Sequence, residues 1–343
     1  MVRLVTEAFS QQEWTDTVSR FYDLSLMQTW EFAEAKAQTG SWKVERATFL
    51  DGECVVGAVQ ALVRAIPWLG GGLVWINRGP LWRRSESEDS SRLAVMLEKI
   101  RHHWVEQKQM YLRIAPPIRE GELDLKTLEA AGYRTTDGST GWASAIVDIS
   151  KSEEQLRRDL RRKWRGDLNS AERQGVSCVM GRSSDLFEDF LSYYETFLSG
   201  KGFFTSVTPQ LLRRMQELLP DERKMWVFEG RLGHERLGGL LMACYGDTTL
   251  ALAGSSPNEK GRAVNSGNLV WWQMMLKMKE LGYRWLDVGG ADPKRTPEGI
   301  LHFKAGLRGM PYQLVNDFEA HDGGLLSKMI RSRVSRARQA LGA

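Results

Sequence analysis

Apolar positions along the chain fall into two alternating periods. Trp14, Val18, Phe21 and Tyr22 are spaced for one helical face, and after a turn near residues 23–25 Trp30, Phe32, Ala33 and Ala37 mark a second helix ended by Gly40-Ser41. From Trp42 the pattern becomes that of strands. Residues 44–50 and 54–64 around Asp51-Gly52 predict a hairpin, and a strand over 71–77 stops at Arg78-Gly79-Pro80. A helix over 91–107, a strand over 110–114, a helix over 123–131 and a strand over 142–149 follow. The second half begins with one charged helix over 151–174, then helices over 185–198 and 209–218. Strands over 225–228, 236–245 and 249–254 come next, then a helix over 269–280 with Ser266 as its N-cap, and a strand over 283–288.

The two halves share an order: strand-turn-strand with internal glycine (Gly57; Gly238 and Gly239), then helix, then strand. That self-similarity predicts duplication of one α/β unit. The expected boundaries are a first domain over 1–150, whose C-terminal partner segment packs back on it or not, a second over 151–320, and a basic tail over 321–343. A chain of 343 residues is long enough for two such cores. The formal net charge of +4 leans toward anionic partners. Cys54, Cys178 and Cys244 lie far apart without metal-ligand spacing, which argues against a disulfide framework or a zinc site and predicts no metal. No signal-peptide core or run of about twenty apolar residues occurs, so a cytoplasmic protein is expected.

Candidate chemistry concentrates in residues 281–309. The strand over 283–288 runs into Gly289-Gly290, a loop punctuated by Asp292-Pro293 and Thr296-Pro297, and then Gly299 to Lys304. Loops after the C-terminal end of a strand in an open sheet are where ligands usually sit. A second candidate is the basic run of Arg157, Arg158, Arg161, Arg162, Lys163 and Arg165, which reads either as a solvated helix face or as a phosphate contact. A third is the tail, where Lys328, Arg331, Arg333, Arg336 and Arg338 alternate with Leu325, Leu326, Met329, Ile330 and Val334. It is either a solvated helix or one that touches a nucleic-acid backbone or an anionic membrane surface. No G-x-S-x-G elbow, Walker A loop or cysteine–histidine pair is present.

Asp287-Val288-Gly289-Gly290 followed by Gly299-Ile300 and Phe303-Lys304 resembles the Fem-type peptidyltransferases. Further similarities are Met27-Gln28-Thr29-Trp30 followed by Lys36, Gly40 and Trp42; Arg78-Gly79-Pro80; and Arg165 followed by Ala171-Glu172 and Gly175-Val176. The resemblance implies an α/β fold of two tandem GNAT-like (acyl-CoA N-acyltransferase-like) domains, each a mixed, mostly antiparallel sheet with flanking helices. It implies transfer of an aminoacyl group from aminoacyl-tRNA to an amine of a peptidoglycan or other anionic cell-envelope precursor, with no bound cofactor. Lys304 would stabilise the oxyanion, and Asp287 would either take a proton or cap the glycine turn. Lys36, Trp30, Arg78, Gly289, Gly290 and Phe303 would bind substrate, and Arg161, Arg162 and Arg165 phosphate. Two departures stand out: Ala115-Pro116 occupies a place where the family has Asp-Pro, and Arg262-Ala263-Val264-Asn265 lacks the first glycine of an acyl-CoA pyrophosphate loop. An acyl-CoA-dependent N-acyltransferase, and a non-catalytic binder of RNA or an anionic glycan precursor, remain the alternatives.

Overall fold

The structure is a computed structural model that describes residues 1–66, 71–85, 91–201 and 205–340. The chain divides into two compact units, residues 1–142 with 313–343, and residues 143–312.

The first unit is built on a seven-stranded sheet. Its members are β1 (Val2–Thr6), β2 (Lys43–Asp51), β3 (Cys54–Ala65), β4 (Gly72–Asn77), β5 (Met110–Ala115), β6 (Arg134–Thr135) and a strand from the far end of the chain. Around it lie α1 (Gln11–Val18), α2 (Trp30–Thr39), α3 (Ser91–Ile100) and α4 (Lys126–Ala130). α1 starts on a reciprocal Ser10–Glu13 capping box, which satisfies two of the amide groups a helix start leaves open. The predicted hairpin forms around 51–54. α3 continues through 101–107 with a widened turn, so the expected helix over 91–107 is two segments of different pitch. Its apolar face (Leu93, Met96, Leu97, Ile100, Trp104) packs into the sheet core with Val74, Ile76, Leu112 and Ile114.

The second unit holds β7 (Ala143–Asp148), β8 (Ser177–Gly181), β9 (Trp226–Leu232), β10 (Glu235–Tyr245), β11 (Thr248–Ser255), β12 (Trp285–Asp287) and β13 (Met310–Gln313), in the order β13-β7-β12-β11-β10-β9-β8. Its helices are α5 (Glu153–Asp159), α6 (Arg162–Arg173), α7 (Ser184–Lys201), α8 (Pro209–Leu218), α9 (Glu259–Ala263), α10 (Ser266–Glu280) and α11 (Glu298–Ala305). The chain then returns to the first unit through β14 (Phe318–Ala320) and α12 (Leu325–Ala340), giving that sheet the order β1-β2-β3-β4-β5-β14-β6.

Read from β1 and from β8, the two orders carry the same senses. Three antiparallel pairs are followed by one parallel pair (β4/β5; β11/β12) and then an antiparallel one (β5/β14; β12/β7). Each unit is thus built on a mixed, mostly antiparallel sheet. The sixth position of each sheet is filled from elsewhere in the chain than a simple tandem order would place it. β7 directly follows the first unit's β6 yet pairs with β12, and β14 directly follows β13 yet pairs with β5.

This corrects the boundary expected at residue 150. Ala143–Asp148 is a strand of the second sheet, in register with Trp285–Asp287, so the second unit starts at 143. Residues 313–320, assigned by sequence to the second domain, and the tail after them belong to the first unit. The single charged helix over 151–174 is also two helices. Leu160 and Arg161 leave the helical conformation with ψ of 143°, Leu160 is buried, and the Arg161 amide donates instead to Gly306 O at 2.9 Å. The break turns Trp164, Leu168 and Ala171 into the second core. No helix among the described residues is long and apolar enough to cross a membrane.

Candidate functional site

In the first sheet the parallel pair β4/β5 stays in register over all six residues, from Gly72↔Met110 to Asn77↔Ala115. In the second it does not. β11 and β12 pair only over Thr248–Leu250 and Trp285–Asp287. Immediately beyond, β11 carries an extra residue, Leu252, between the two that pair with Leu241 and Met242. A bulge bends its strand and raises the local twist, so β11 turns away while the chain after β12 stays with β7 through Val288 N–H to Ala145 O (3.0 Å) and Ala291 N–H to Ala143 O (2.8 Å). The two strands open a cleft at the C-terminal end of the parallel pair, where ligands of such sheets lie.

Gly289-Gly290 forms the fork. Gly289 has φ of +73°, and a Cβ there would lie 2.5 Å from Ala251 O, so the position needs glycine for both backbone and space. Asp287 fixes the turn from beneath. It is buried, and its carboxylate accepts from Gly289 N (2.9 Å), Ser144 Oγ (2.5 Å) and Tyr312 Oη (2.7 Å). With both oxygens so engaged, Asp287 holds the turn, which is the capping role that the sequence offered beside a catalytic one.

α11 delivers the lysine. Phe303 sits against Trp164 and Trp271, with ring centroids 5.7 Å away in each case, and this anchors the helix. The next residue, Lys304, directs its ammonium to Gly290 O at 2.8 Å. Burial pushes the Lys304 pKa down to about 8, while the Asp287 carboxylate pulls the other way. The group is still a cation at neutral pH, but a poorly hydrated one, which strengthens its interaction with any negative charge formed nearby.

The cleft widens into a cavity of about 590 Å³, bounded by β11 from Ala251 to Ser255, the first turn of α10, and Ile300, Phe303 and Lys304 of α11. Ser266, expected to cap α10, lies inside the helix with its hydroxyl buried and unpartnered. The N-cap is Asn265 in a left-handed conformation (φ +55°), and its side chain makes no capping bond. The first-turn amides of Ser266 and Gly267 therefore border the cavity without a side-chain cap, an arrangement suited to an anion, while that of Asn268 donates to Asn265 O at 3.0 Å. Arg262, in α9 just before, is committed to Pro257 O at 2.7 Å. Trp271, read from sequence as core, is half-buried and lines the cavity, whereas Trp272, Met274, Met275 and Met278 are core.

The fold thus brings Lys304, Asp287, Gly289, Gly290 and Phe303 together. The basic run is joined to them from behind: besides the Arg161–Gly306 bond, Trp164 Cδ1 lies 2.3 Å from where a Gly306 Cβ would be. Its members differ. Arg165 donates to the carbonyls of Arg157 and Arg158 and so closes the end of α5, which gives it a structural task in place of the phosphate contact expected of it. Arg157 pairs with Glu172, Arg158 with Glu154 and Lys163 with Asp167. Arg161 and Arg162 are exposed and form no ion pair among the described residues.

Trp30, Lys36 and Arg78 belong to the first unit. Arg46 stacks on Trp30 at 3.6 Å and pairs with Glu34 at 2.9 Å, so that face of the half-buried Trp30 is taken by the protein itself. Lys36 is half-buried beside Phe32 and burial lowers its pKa. Arg78 has φ of +57°, its amide donates to Ala115 O, and its guanidinium lies 5.4 Å from the ring of the exposed Trp142. The carbonyl of that same peptide is held by Gln28, whose side chain spans Asn77 O (2.8 Å) and Gln60 (2.8 and 3.1 Å). Sequence reasoning missed Ser144 and Tyr312, which complete the Asp287 cradle from strands on the far side of β12, and the Leu252 bulge that opens the cleft.

Residues 155–304 match the family model described as an acetyltransferase (GNAT) domain. Among solved structures, a crystal structure of FemX has a TM-score of 0.79 at 19% identity, covering 95% of this chain and 100% of that one. The C-terminal domain of a putative lysylphosphatidylglycerol synthetase from Agrobacterium fabrum has a TM-score of 0.54 at 12% identity, covering 95% and 97%. A protein of unknown function from Bacteroides thetaiotaomicron has a TM-score of 0.58 at 9% identity, covering 92% and 99%. No curated protein matches the sequence.

Proposed function

We propose that this chain, an acyltransferase scaffold with a GNAT domain in its second unit and the fold of FemX over its length, moves an aminoacyl group. The donor in this reading is aminoacyl-tRNA and the acceptor an amine of a peptidoglycan or other cell-envelope precursor, which puts the reaction in the cytoplasm with charged tRNA. The observation that carries it is the Lys304 ammonium, held at the mouth of the only parallel pair that diverges within the described residues. The acceptor nitrogen attacks the ester carbonyl, a C–N bond forms, and the carbonyl oxygen takes up the negative charge beside Lys304. Collapse breaks the C–O bond to the ribose, and the proton shed by the amine ends on the ribose hydroxyl. One donor to such an oxyanion is worth roughly 3–4 kcal/mol. Arg161 and Arg162 supply free positive charge for the tRNA backbone.

Supplying candidate envelope precursors with charged tRNA, and separately with acyl-CoA, and reading acceptor mass tests this. A mass gain of one amino-acid residue only with charged tRNA is expected. A second reading, transfer from an acyl-CoA, is favoured by one specific observation: the first turn of α10, without a side-chain cap, beside a 590 Å³ cavity. An acyl-chain mass gain with acyl-CoA, together with calorimetric binding of coenzyme A, would replace the first reading by the second.

A further inference from the structure

α12 is held on one face and bare on the other. Its start is fixed by Asp322, which accepts from Ser327 Oγ (2.7 Å) and Gly324 N (3.0 Å). On the inner face Leu326 lies 3.3 Å from where a Gly71 Cβ would be, and Arg331 is drawn down to Glu319 (2.5 Å) and Asp137 (3.3 Å). The outer face carries Leu325, 81% exposed, and Met329, 69% exposed, four residues apart and hence on one stripe. Lys328, Arg333 and Arg336 stand exposed around them, and the sixteen residues of the helix include no acid.

We infer that this outer face docks the chain on an anionic lipid surface. Large apolar side chains left in water beside a cluster of cations satisfy both demands of a bilayer interface. Leu325 and Met329 enter the acyl boundary while the basic groups stay among the headgroups. A nucleic-acid backbone would use the charges but offers little to the two apolar side chains. A second copy of the helix would bring like charges together. With so small an apolar stripe the attachment is reversible and needs the negative surface as well. Arg331, neutralised from below, does not take part.

The test needs no turnover and so stands or falls apart from the transfer reaction. The full chain is sedimented with vesicles of phosphatidylcholine alone and of phosphatidylcholine mixed with phosphatidylglycerol. Binding to the mixed vesicles only, reversed by salt, is expected. Replacing Lys328, Arg333 and Arg336 together by Gln should weaken it on the order of a hundredfold, about fivefold for each charge. Leu325→Ser with Met329→Ser, at unchanged charge, should weaken it too. Melting temperatures are compared first, since exposed positions should leave the fold intact. Equal binding to both vesicle types, or to neither, overturns the inference for the wild-type chain alone. So does binding that the serine pair leaves unchanged, which would make the face a charge patch of the kind RNA uses. A dimer that the serine pair dissociates, without vesicle binding, would assign the face to a second copy.

Discussion

Lys304 sits where two demands oppose each other. Its charge suits an oxyanion, yet its desolvation opposes that charge, and a pKa of about 8 in place of 10.5 corresponds to ~3 kcal/mol against the ammonium. Between these two values the unfolded chain binds the proton and the folded one does not, so this group makes stability rise from about pH 8 to 10.5, and its cost is full below 8. Activity moves the other way. We expect kcat to fall above about pH 8 as the cation is lost, an alkaline limb that stopped-time assays across pH 6–10 would read. Lys304→Met should cut kcat by about a hundredfold or more. It should leave the melting temperature unchanged or raised, because removing a desolvated charge outweighs the ~1 kcal/mol of an unpaired Gly290 carbonyl. A variant with wild-type kcat, or one that melts well below the parent, would take Lys304 out of this role. The lysine was legible in sequence because a glycine fork and an aromatic anchor flank it at recognisable spacing. Its burial was not, and neither were Ser144 and Tyr312: a single polar residue in a strand carries no mark of the carboxylate it will meet across a sheet.

Elements broke from their sequence reading where a tertiary partner outbid the local period. The charged stretch over 151–174 has the composition of one helix, yet the Gly306 carbonyl takes the Arg161 amide and the hydrophobic Trp164 follows it inward. The consequence is a division of labour within the run. Arg161→Gln with Arg162→Gln should flatten the salt dependence of tRNA binding by about two counterions and spare stability. Arg165→Gln should instead lower stability by about 1 kcal/mol, since its bonds end α5. Filter binding at several salt concentrations, beside thermal melts, separates the two, and an equal salt effect from all three would refute the division. The cleft itself was invisible in sequence. One extra residue in β11 makes it, and Leu252 looks like any other strand leucine. At the fork, Gly289→Ala should destabilise the second unit by more than 1 kcal/mol, through both its positive φ and the 2.5 Å approach to Ala251 O. Urea melts would report it.

For the molecule as a whole, the duplicated order was readable because turns, glycines and strand periods repeat. The exchange of sixth strands was not readable, since local pattern says that a segment is a strand and not which sheet it joins. β14 lies between β5 and β6, with Phe318↔Ile114 on one side and Phe318↔Thr135 on the other, and Phe318 is 1% exposed. Truncation after residue 312 should therefore cripple the first unit, not merely trim its end. Hydrogen exchange on such a chain should show loss of protection across β5 and β6 while β9 to β12 keep theirs. Uniform protection would show that the returning segment is dispensable.

That returning strand also sets a timetable. A ribosome releases residues 143–312 as one uninterrupted length, so the unit bearing Lys304 has all its parts while the other, though begun first, still lacks a strand from its interior. Until Phe318–Ala320 emerges, β5 and β6 each present an unpaired edge, the kind of surface that invites mispairing with another chain. The unit that holds residues 1–142 is therefore completed only after the whole of residues 143–312 has been made.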